Sequence, residues 1–135
     1  MKYLLTLYGE EGGWDDVTPE EMQAGMKPWD DYSRAITEAG VFLAGEALQP
    51  SATASTVKKP AENEHLVTDG PFAETKEQLG GFYLLECENL DEALEWAKKV
   101  PLTPPASIEV RPVMDYSEFG YENPAEAGAT QTASS

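Results

Sequence analysis

Cysteine and histidine are nearly absent from this chain of 135 residues, which contains one of each. A single cysteine, Cys87, excludes an internal disulfide, and its position in an apolar run predicts a buried structural thiol. The single histidine, His65, lies among polar neighbours and has no histidine or cysteine partner at a ligand-like spacing. The sequence therefore predicts no metal site, and we interpret His65 as a surface or hairpin residue.

Positive charge is also scarce, with nine lysine and arginine residues against 25 aspartate and glutamate residues and a net charge of −16. Repulsion from phosphate groups should oppose binding to nucleic acid or to an anionic membrane. No run approaches the ~20 apolar residues of a membrane span. The apolar start of the chain is too short for a signal peptide, and Gly9-Glu10-Glu11 follows it in place of a small-residue cleavage site. We therefore expect a cytoplasmic protein that binds neither nucleic acid nor membrane.

Signatures of common catalytic machinery are missing as well. There is no nucleophile motif, and residues 9–13 have neither the spacing nor the lysine of a phosphate-binding loop. Adjacent acidic pairs such as Glu20-Glu21 point in different directions and are usually solvated. The sequence therefore predicts no cofactor.

The pattern of apolar residues predicts strands and helices. Residues 2–8 are almost continuously apolar, as expected of a central strand covered on both faces. Thr18-Pro19-Glu20-Glu21 has the N-cap, the early proline and the capping box of a helix start. Gly25 and Pro28 predict a kink or a break near residues 24–28 of this helix. Its apolar stripe, which we interpret as core except for the tryptophan, consists of Met22, Met26, Trp29, Tyr32 or Ser33, Ile36 and Ala39.

Further strand-like runs follow the first helix. Pro112 indicates an edge strand or a bulge in the last run, and Gly80-Gly81 indicates a bulge before another. Asn89 or Asp91 caps a second helix, which Pro101 ends. The strand-like runs lie at residues 41–48, 53–58, 64–68, 82–87 and 107–114, and the second and third form a hairpin.

The order of these elements predicts an α+β fold, a ferredoxin-like βαββαβ pattern with an added hairpin. We expect a mainly antiparallel sheet with both helices on one face, which leaves the other face in need of cover. The length predicts one domain, which we place at residues 1–115. Residues 116–135 are mostly small and polar and predict a flexible tail, unless Tyr116, Phe119 and Tyr121 pin its start.

The segment from Asp69 to Gly81 is the most distinctive part of the sequence. It reads Asp-Gly-Pro-Phe-Ala-Glu-Thr-Lys-Glu-Gln-Leu-Gly-Gly and connects two strand-like runs. Gly70 can adopt backbone angles closed to other residues, Pro71 restricts its own φ, and Asp69 can accept hydrogen bonds from N–H groups ahead of it. We therefore expect an ordered corner that holds the Asp69 carboxylate and the Phe72 ring in fixed directions.

Residues 68–81 closely resemble the signature of the DGPF (DGPFAETKE) branch of the YCII-related, or YciI-like, family. The resemblance implies a ferredoxin-like fold in a dimeric α/β barrel, in which two sheets pack face to face around a cavity. A homodimer and a small-molecule ligand are therefore the expected partners, whereas the family's activities are largely unassigned. The resemblance covers residues 1–115 and also includes Leu43–Pro50, Thr53–Val57, Asp91–Ala97 and Glu109–Val113.

Asp69 is the candidate catalytic residue, because desolvation by aromatic neighbours would suit its carboxyl group to proton transfer. The alternative interpretation makes Asp69 a structural cap of the turn. Glu46 is unusual in an apolar run and is either an outward-facing edge charge or a carboxylate that faces a pocket. Lys76 is a candidate for orienting an anionic substrate. The predicted ligand-binding residues are Tyr8, Trp29, Tyr32, Glu46, Gly70, Phe72 and Lys76.

The resemblance also implies a histidine–aspartate pair in the subunit cavity, with the histidine on the first helix. That helix carries no histidine here, since the approximate position falls near Pro28 or Trp29, and His65 belongs to a different element. The sequence therefore departs from the histidine–aspartate mechanism. Of that pair it retains Asp69 as the candidate catalytic residue, aided by Glu46 or a tyrosine. Trp14, in the first loop, has an open role at a core edge or a pocket mouth.

Three functions are compatible with these features. The first is a cofactor-independent lyase or isomerase that uses Asp69 on a small, partly apolar molecule. The second is a non-catalytic dimeric binding or accessory module whose signature loop shapes a pocket or a subunit contact. The third is a partner protein recruited through the acidic surface or through residues 116–135.

Overall fold

A computed structural model describes residues 1–13, 16–122 and 124 of the chain. Trp14, whose role the sequence leaves open, lies outside the described residues. The strands within the described part are β1 (Lys2–Gly9), β2 (Phe42–Ala47), β3 (Ser55–Lys58), β4 (Leu66–Asp69), β5 (Gln78–Glu86) and β6 (Ala106–Pro112). The α-helices are α1 (Pro19–Glu38) and α2 (Leu90–Lys98), and short 3-10 helices lie at Ser51–Thr53 and Tyr116–Phe119.

Four strands form one antiparallel sheet in the order β2-β5-β1-β6, and β3 and β4 form a separate hairpin. The predicted central position of β1 is confirmed, because β1 pairs with both β5 and β6. Pro112 ends β6 at the edge of the sheet, and β5 has a register shift opposite Leu7 and Tyr8, where Gly80-Gly81 predicted a bulge. The α+β class and the mainly antiparallel sheet are confirmed. The sheet of one chain does not close, so the dimeric barrel stays a prediction.

The start of α1 is built as its sequence predicts. The Glu21 N–H donates to Thr18 Oγ1 at 3.1 Å, and the Thr18 N–H donates to Glu21 Oε1 at 3.4 Å, which completes the capping box. The helix continues through Pro28, so the predicted break is wrong, whereas the alternative of a kink near residues 24–28 stays a prediction. Ala24 and Pro28 are both exposed, and water can therefore solvate the Ala24 carbonyl that proline leaves unpaired. No helix in the described residues is long and apolar enough to cross a membrane.

The core lies between the sheet and the two helices, which share one of its faces. Leu5, Ile36 and Leu85 are fully buried there. The Tyr32 hydroxyl of α1 donates to the Trp96 carbonyl of α2 at 3.0 Å, which joins the helices. Full burial of a leucine or isoleucine side chain contributes about 1.5–3 kcal/mol, so these side chains carry much of the stability of the fold.

The first half of α1 does not join this core. Residues 18–28 are all exposed, and Met22 and Met26 each keep 39% of their accessible surface. The interpretation of these two methionines as core is therefore wrong for a single chain. Their helical spacing is correct, but no element of the described chain packs closely enough against the first half of α1 to bury them.

Cys87 is buried, as predicted, and it packs with the core of the sheet. Burial raises the pKa of its thiol to about 11, and Glu92 beside it acts in the same direction. Cys87 is therefore a protonated, inert thiol at neutral pH.

Candidate ligand-binding site

The signature corner at the end of β4 is tied to β3 by its backbone. Gly70 has a φ of +99°, which favours glycine. Its N–H donates to the Ala54 carbonyl at 2.7 Å, and its carbonyl accepts from Thr56 Oγ1 at 2.8 Å. Farther along the loop, Gln78 Nε2 donates to the Ala73 carbonyl at 3.1 Å. The chain thus bends at Gly70, and both backbone polar groups of this residue are paired.

Asp69, Phe72 and Lys76 lie on the outside of this corner. Asp69 pairs with Ser55 across the hairpin, but its carboxylate accepts no hydrogen bond within the part of the chain that the structure describes. Phe72 is 82% exposed, and Lys76 is exposed on the loop toward β5. One chain alone therefore does not shield Asp69 from water. Its catalytic role stays a prediction.

The other predicted ligand residues are divided between the two faces of the four-stranded sheet. Tyr8 alternates with the buried residues of β1 and lies on the face that neither helix covers. Glu46 lies on this open face too, because its neighbour Gly45 faces the helix side. Trp29 belongs to α1 and lies on the helix side. The structure therefore does not gather these side chains around Asp69.

Tyr32 is a buried residue of the helix-covered side. Its ring meets the Tyr83 ring edge-on, with centroids 5.2 Å apart, and its hydroxyl is engaged by the Trp96 carbonyl. Burial raises the pKa of the Tyr32 phenol far above its ordinary value, and Tyr83 adds to the shift. Tyr32 therefore packs against the Tyr83 ring from the buried core.

A groove of about 590 Å³ lies between α1 and the sheet, near the ends of β1 and β2. The face of α1 that lines it has spacings of three and four residues, from Met26 through Trp29 and Asp30 to Ser33. Of the predicted ligand residues, Trp29 contributes to its lining from α1, and Glu46 contributes from the edge strand β2, whose end borders the groove. The walls include Leu7, Met26, Trp29, Ser33, Phe42 and Tyr83.

Gly45 allows Tyr83 to form one wall of this groove. A Cβ atom at residue 45 would lie 2.7 Å from Tyr83 Cδ1, which is closer than van der Waals contact permits. Burial raises the pKa of the Tyr83 phenol, and a hydrogen bond with Ser33 acts in the opposite direction. We did not predict Tyr83, Ser33 or Met26 as site residues. A glycine inside an apolar strand was the available signal, because such a glycine often marks a close approach of another group.

The charged residues at the groove are all acidic. Glu10, Glu11, Asp30 and Glu46 contribute to its lining, and no lysine or arginine does so within the described residues. The Glu11 carboxylate accepts from the Ser51 N–H at 2.6 Å and from the Ser51 hydroxyl. These hydrogen bonds lower the pKa of Glu11 below its ordinary value. The loop after β1 is thereby attached to the 3-10 helix after β2.

Metal-ligating side chains are dispersed over the described part of the chain. No group of three histidine, cysteine, aspartate or glutamate residues lies close enough there to hold a metal ion. His65 is exposed in the segment between β3 and β4, away from the groove.

The sequence matches the YCII-related domain over residues 1–117, a range that includes the signature corner and the groove. It is also 40% identical over 118 residues to Uncharacterized protein R00369 of Rhizobium meliloti (strain 1021). That match covers 86% of this chain and 94% of the Rhizobium protein. The chain therefore belongs to the YCII-related family, as the resemblance of residues 68–81 predicted.

Proposed function

We propose that this YCII-related protein binds a small molecule in the groove between α1 and the sheet. The groove itself supports the proposal, since its volume of about 590 Å³ is comparable with known ligand sites. Such sites commonly have about 300–1,000 Å³, apolar and aromatic walls and a few polar groups. Trp29, Tyr83 and Phe42 supply aromatic walls here, and Ser33 supplies a hydroxyl group.

The walls of the groove are preorganised by the core behind them. Tyr83 packs against Tyr32, whose hydroxyl is held by α2, and Trp29 packs partly against the same core. A site with fixed walls loses little side-chain freedom on binding, which favours affinity. This arrangement supports binding without requiring a particular reaction.

Ligand binding is tested by a fragment screen that follows the indole N–H signals of the protein by NMR. Hits should shift the Trp29 signal, and Trp29→Leu should weaken their binding by about tenfold or more, as expected for loss of a buried aromatic contact. Phe119→Leu is the matched control, because Phe119 is exposed and does not line the groove. A screen whose hits bind Trp29→Leu and the wild type equally would remove the groove from the proposal.

The proposed assembly is a homodimer that covers the open face of the sheet. Leu4 pairs with Leu84 across β1 and β5, and Phe82 lies one pair farther along on the same face. These three side chains are half-buried in one chain. A second copy with the same apolar surface would complete their burial through a symmetric contact.

Leu84→Glu tests this assembly by sedimentation at several protein concentrations. A dimer of the wild type should become monomeric, because the substitution places a charge in the covered face. Leu94→Glu is the control, since Leu94 belongs to the exposed part of α2. A wild type that remains monomeric at high concentration, or a Leu84→Glu dimer of unchanged affinity, would contradict the assembly.

Proton transfer by Asp69 is the second candidate function. One observation favours it: the corner at Gly70 is held in place, yet the Asp69 carboxylate has no hydrogen-bond partner within the described residues. A group with this freedom is available to a substrate or to the second subunit. The test compares the wild type with Asp69→Asn on small carbonyl and lactone substrates, and equal rates would remove Asp69 from the mechanism.

A further inference from the structure

The groove between α1 and the sheet has charge of one sign at its edge. Its charged lining residues are all acidic, namely Glu10, Glu11, Asp30 and Glu46, and the residues that line it in the described chain include no lysine or arginine. The whole chain carries a net charge of −16, so distant residues do not reverse the local potential. A cleft with walls of low polarity focuses such a field and raises the local concentration of cations.

The basic residues of α1 are engaged beside the groove. Lys27 Nζ and Arg34 Nη1 each lie 3.2 Å from the Asp31 carboxylate. Asp31 is rotated by about 100° around the helix from Asp30, so these ion pairs lie on a neighbouring face. Asp30 itself forms no ion pair within the part of the chain that the structure describes. Its charge is therefore not neutralised by its own helix.

The acidic edge lies next to aromatic walls. Trp29 lies one residue before Asp30 on α1, and Tyr83 of β5 lines the groove from the sheet side. Aromatic faces attract alkylammonium groups, most strongly for tryptophan and in places with little water. Glu11 is held at the mouth by Ser51 and stays charged, so it supplies a fixed negative group rather than a mobile one.

We propose that the ligand of this groove is an amphiphilic cation: an apolar chain or ring that carries an ammonium group. This proposal rests on the groove being the ligand site and adds the chemical class of the ligand. The apolar part would lie against Met26, Leu7 and Phe42, and the ammonium group would lie between Trp29 and the carboxylates. An anionic ligand of the same shape would meet repulsion without a compensating basic residue.

Three ligands with one hexyl chain separate charge from shape: hexyltrimethylammonium, 1-hexanol and hexanoate. Their affinities are measured by calorimetry on the full chain and are checked by the shift of the Trp29 indole signal. The ammonium should bind roughly tenfold more tightly than the alcohol, because it gains a cation–π contact and the attraction of acidic groups that the basic residues of α1 do not neutralise. Hexanoate should bind most weakly. Added salt should reduce the affinity of the ammonium and leave that of the alcohol nearly unchanged.

The double variant Asp30→Asn with Glu10→Gln tests the source of the preference. It should reduce the affinity of the ammonium several-fold and leave that of 1-hexanol unchanged, because it removes charge without removing the apolar walls. Glu62→Gln with Glu64→Gln is the matched control, since it makes the same change in net charge in the exposed segment between β3 and β4. Glu11 is left intact in both variants because it anchors the loop to Ser51.

The outcomes distinguish this proposal from the proposed function. Equal affinity for the three ligands, or tightest binding of hexanoate, would overturn the cationic class and leave the groove as a ligand site. An equal loss in the control double variant would show that net charge, and not the groove, attracts the cation. Failure of all three ligands to shift the Trp29 signal would overturn the amphiphilic class, whereas the groove as a ligand site falls only if the fragment screen gives no hit that depends on Trp29.

Discussion

The helix-covered side of the sheet and the β3–β4 hairpin differ strongly in how much of their apolar surface is buried. On the helix side, Leu5, Ile36 and Leu85 have no accessible surface. In the hairpin, Val67 keeps 69% of its accessible surface, and Phe72 at the signature corner keeps 82%. The signature corner, which is the part of the chain easiest to recognise in sequence, therefore lies outside the buried core of one chain.

The two regions are held in place by different interactions. The helix side is ordered by burial of apolar surface, whereas the signature corner is ordered by hydrogen bonds and by the backbone freedom of Gly70. A two-stranded hairpin is marginally stable when nothing packs on it. Its exposed valines and Phe72 form an apolar surface that the described part of one chain leaves uncovered.

The largest predicted effect is a loss of stability when a buried leucine of the helix-covered core is truncated. Leu85→Ala should lower the free energy of unfolding by about 2–5 kcal/mol, because it leaves a cavity in a fully packed site. Leu66→Ala in β4 is the matched change at a residue that is 56% exposed, and it should cost within about 0.5 kcal/mol of zero. Urea unfolding followed by circular dichroism measures both. Similar costs for the two variants would contradict the comparison.

A smaller effect is expected at the wall of the groove. Gly45→Ala places a methyl group against the Tyr83 ring, which cannot retreat because Tyr32 packs behind it. The cost should be about 1–3 kcal/mol, as for other overpacked sites. Gly80→Ala is the control, since a Cβ atom there meets nothing within 4 Å. Urea unfolding compares the two, and a neutral Gly45→Ala would mean that the ring is free to move.

The hairpin should respond locally to a change at its corner. Gly70→Ala forces an L-residue to a φ near +99°, which costs roughly 1–2 kcal/mol. Hydrogen exchange should accelerate at the amide of residue 70, whose bond to the Ala54 carbonyl is weakened, while Leu85 in the core keeps its protection. Asp69→Asn leaves the backbone unchanged and should not alter this exchange. Accelerated exchange in the core would show that the hairpin and the core unfold together.

The smallest effect concerns pH at the mouth of the groove. The pKa of Glu11 is lowered from 4.5 by its hydrogen bonds to Ser51, so this contact stabilises the folded chain fully above pH 4.5. That contribution is lost as the pH falls through the lowered pKa. The Ser51 amide signal in NMR should therefore move only below pH 4.5, and Glu11→Gln should abolish the movement. A shift centred above that value would contradict the geometry.

Local sequence rules predicted well where the helices begin, and predicted poorly which helix faces are buried. The capping box at Thr18 and the Asn89 N-cap, which accepts from the Glu92 N–H at 2.9 Å, depend on neighbours in sequence and are confirmed. The break at Pro28 was expected from the same kind of rule and is wrong, because solvent access offsets the lost hydrogen bond. Met22 and Met26 follow the helical period but stay exposed, and Met26 borders the groove rather than the packed core. Periodicity alone cannot say how far a neighbouring sheet extends.

The candidate site shows the same limit. Trp29 and Glu46 were predicted as ligand residues and contribute to the groove, while Tyr8, Asp69, Gly70, Phe72 and Lys76 lie elsewhere in one chain. Residues on the two sides of a sheet look equivalent in sequence, since only the packing of the helices decides which side is covered. The homodimer, the cytoplasmic location, the domain boundary at residue 115 and the role of the C-terminal tail stay predictions.

The sequence alone determined the α+β class, the helix caps, the central strand and the membership in the YCII-related family, because each depends on short-range chemistry or on a recognisable motif. Only the tertiary structure decided that Gly45 and Tyr83 form a wall with Trp29, and that the signature corner stands apart from it. These positions are 16 to 54 residues apart along the chain, and the sheet register and helix packing that place them are collective properties of the folded core.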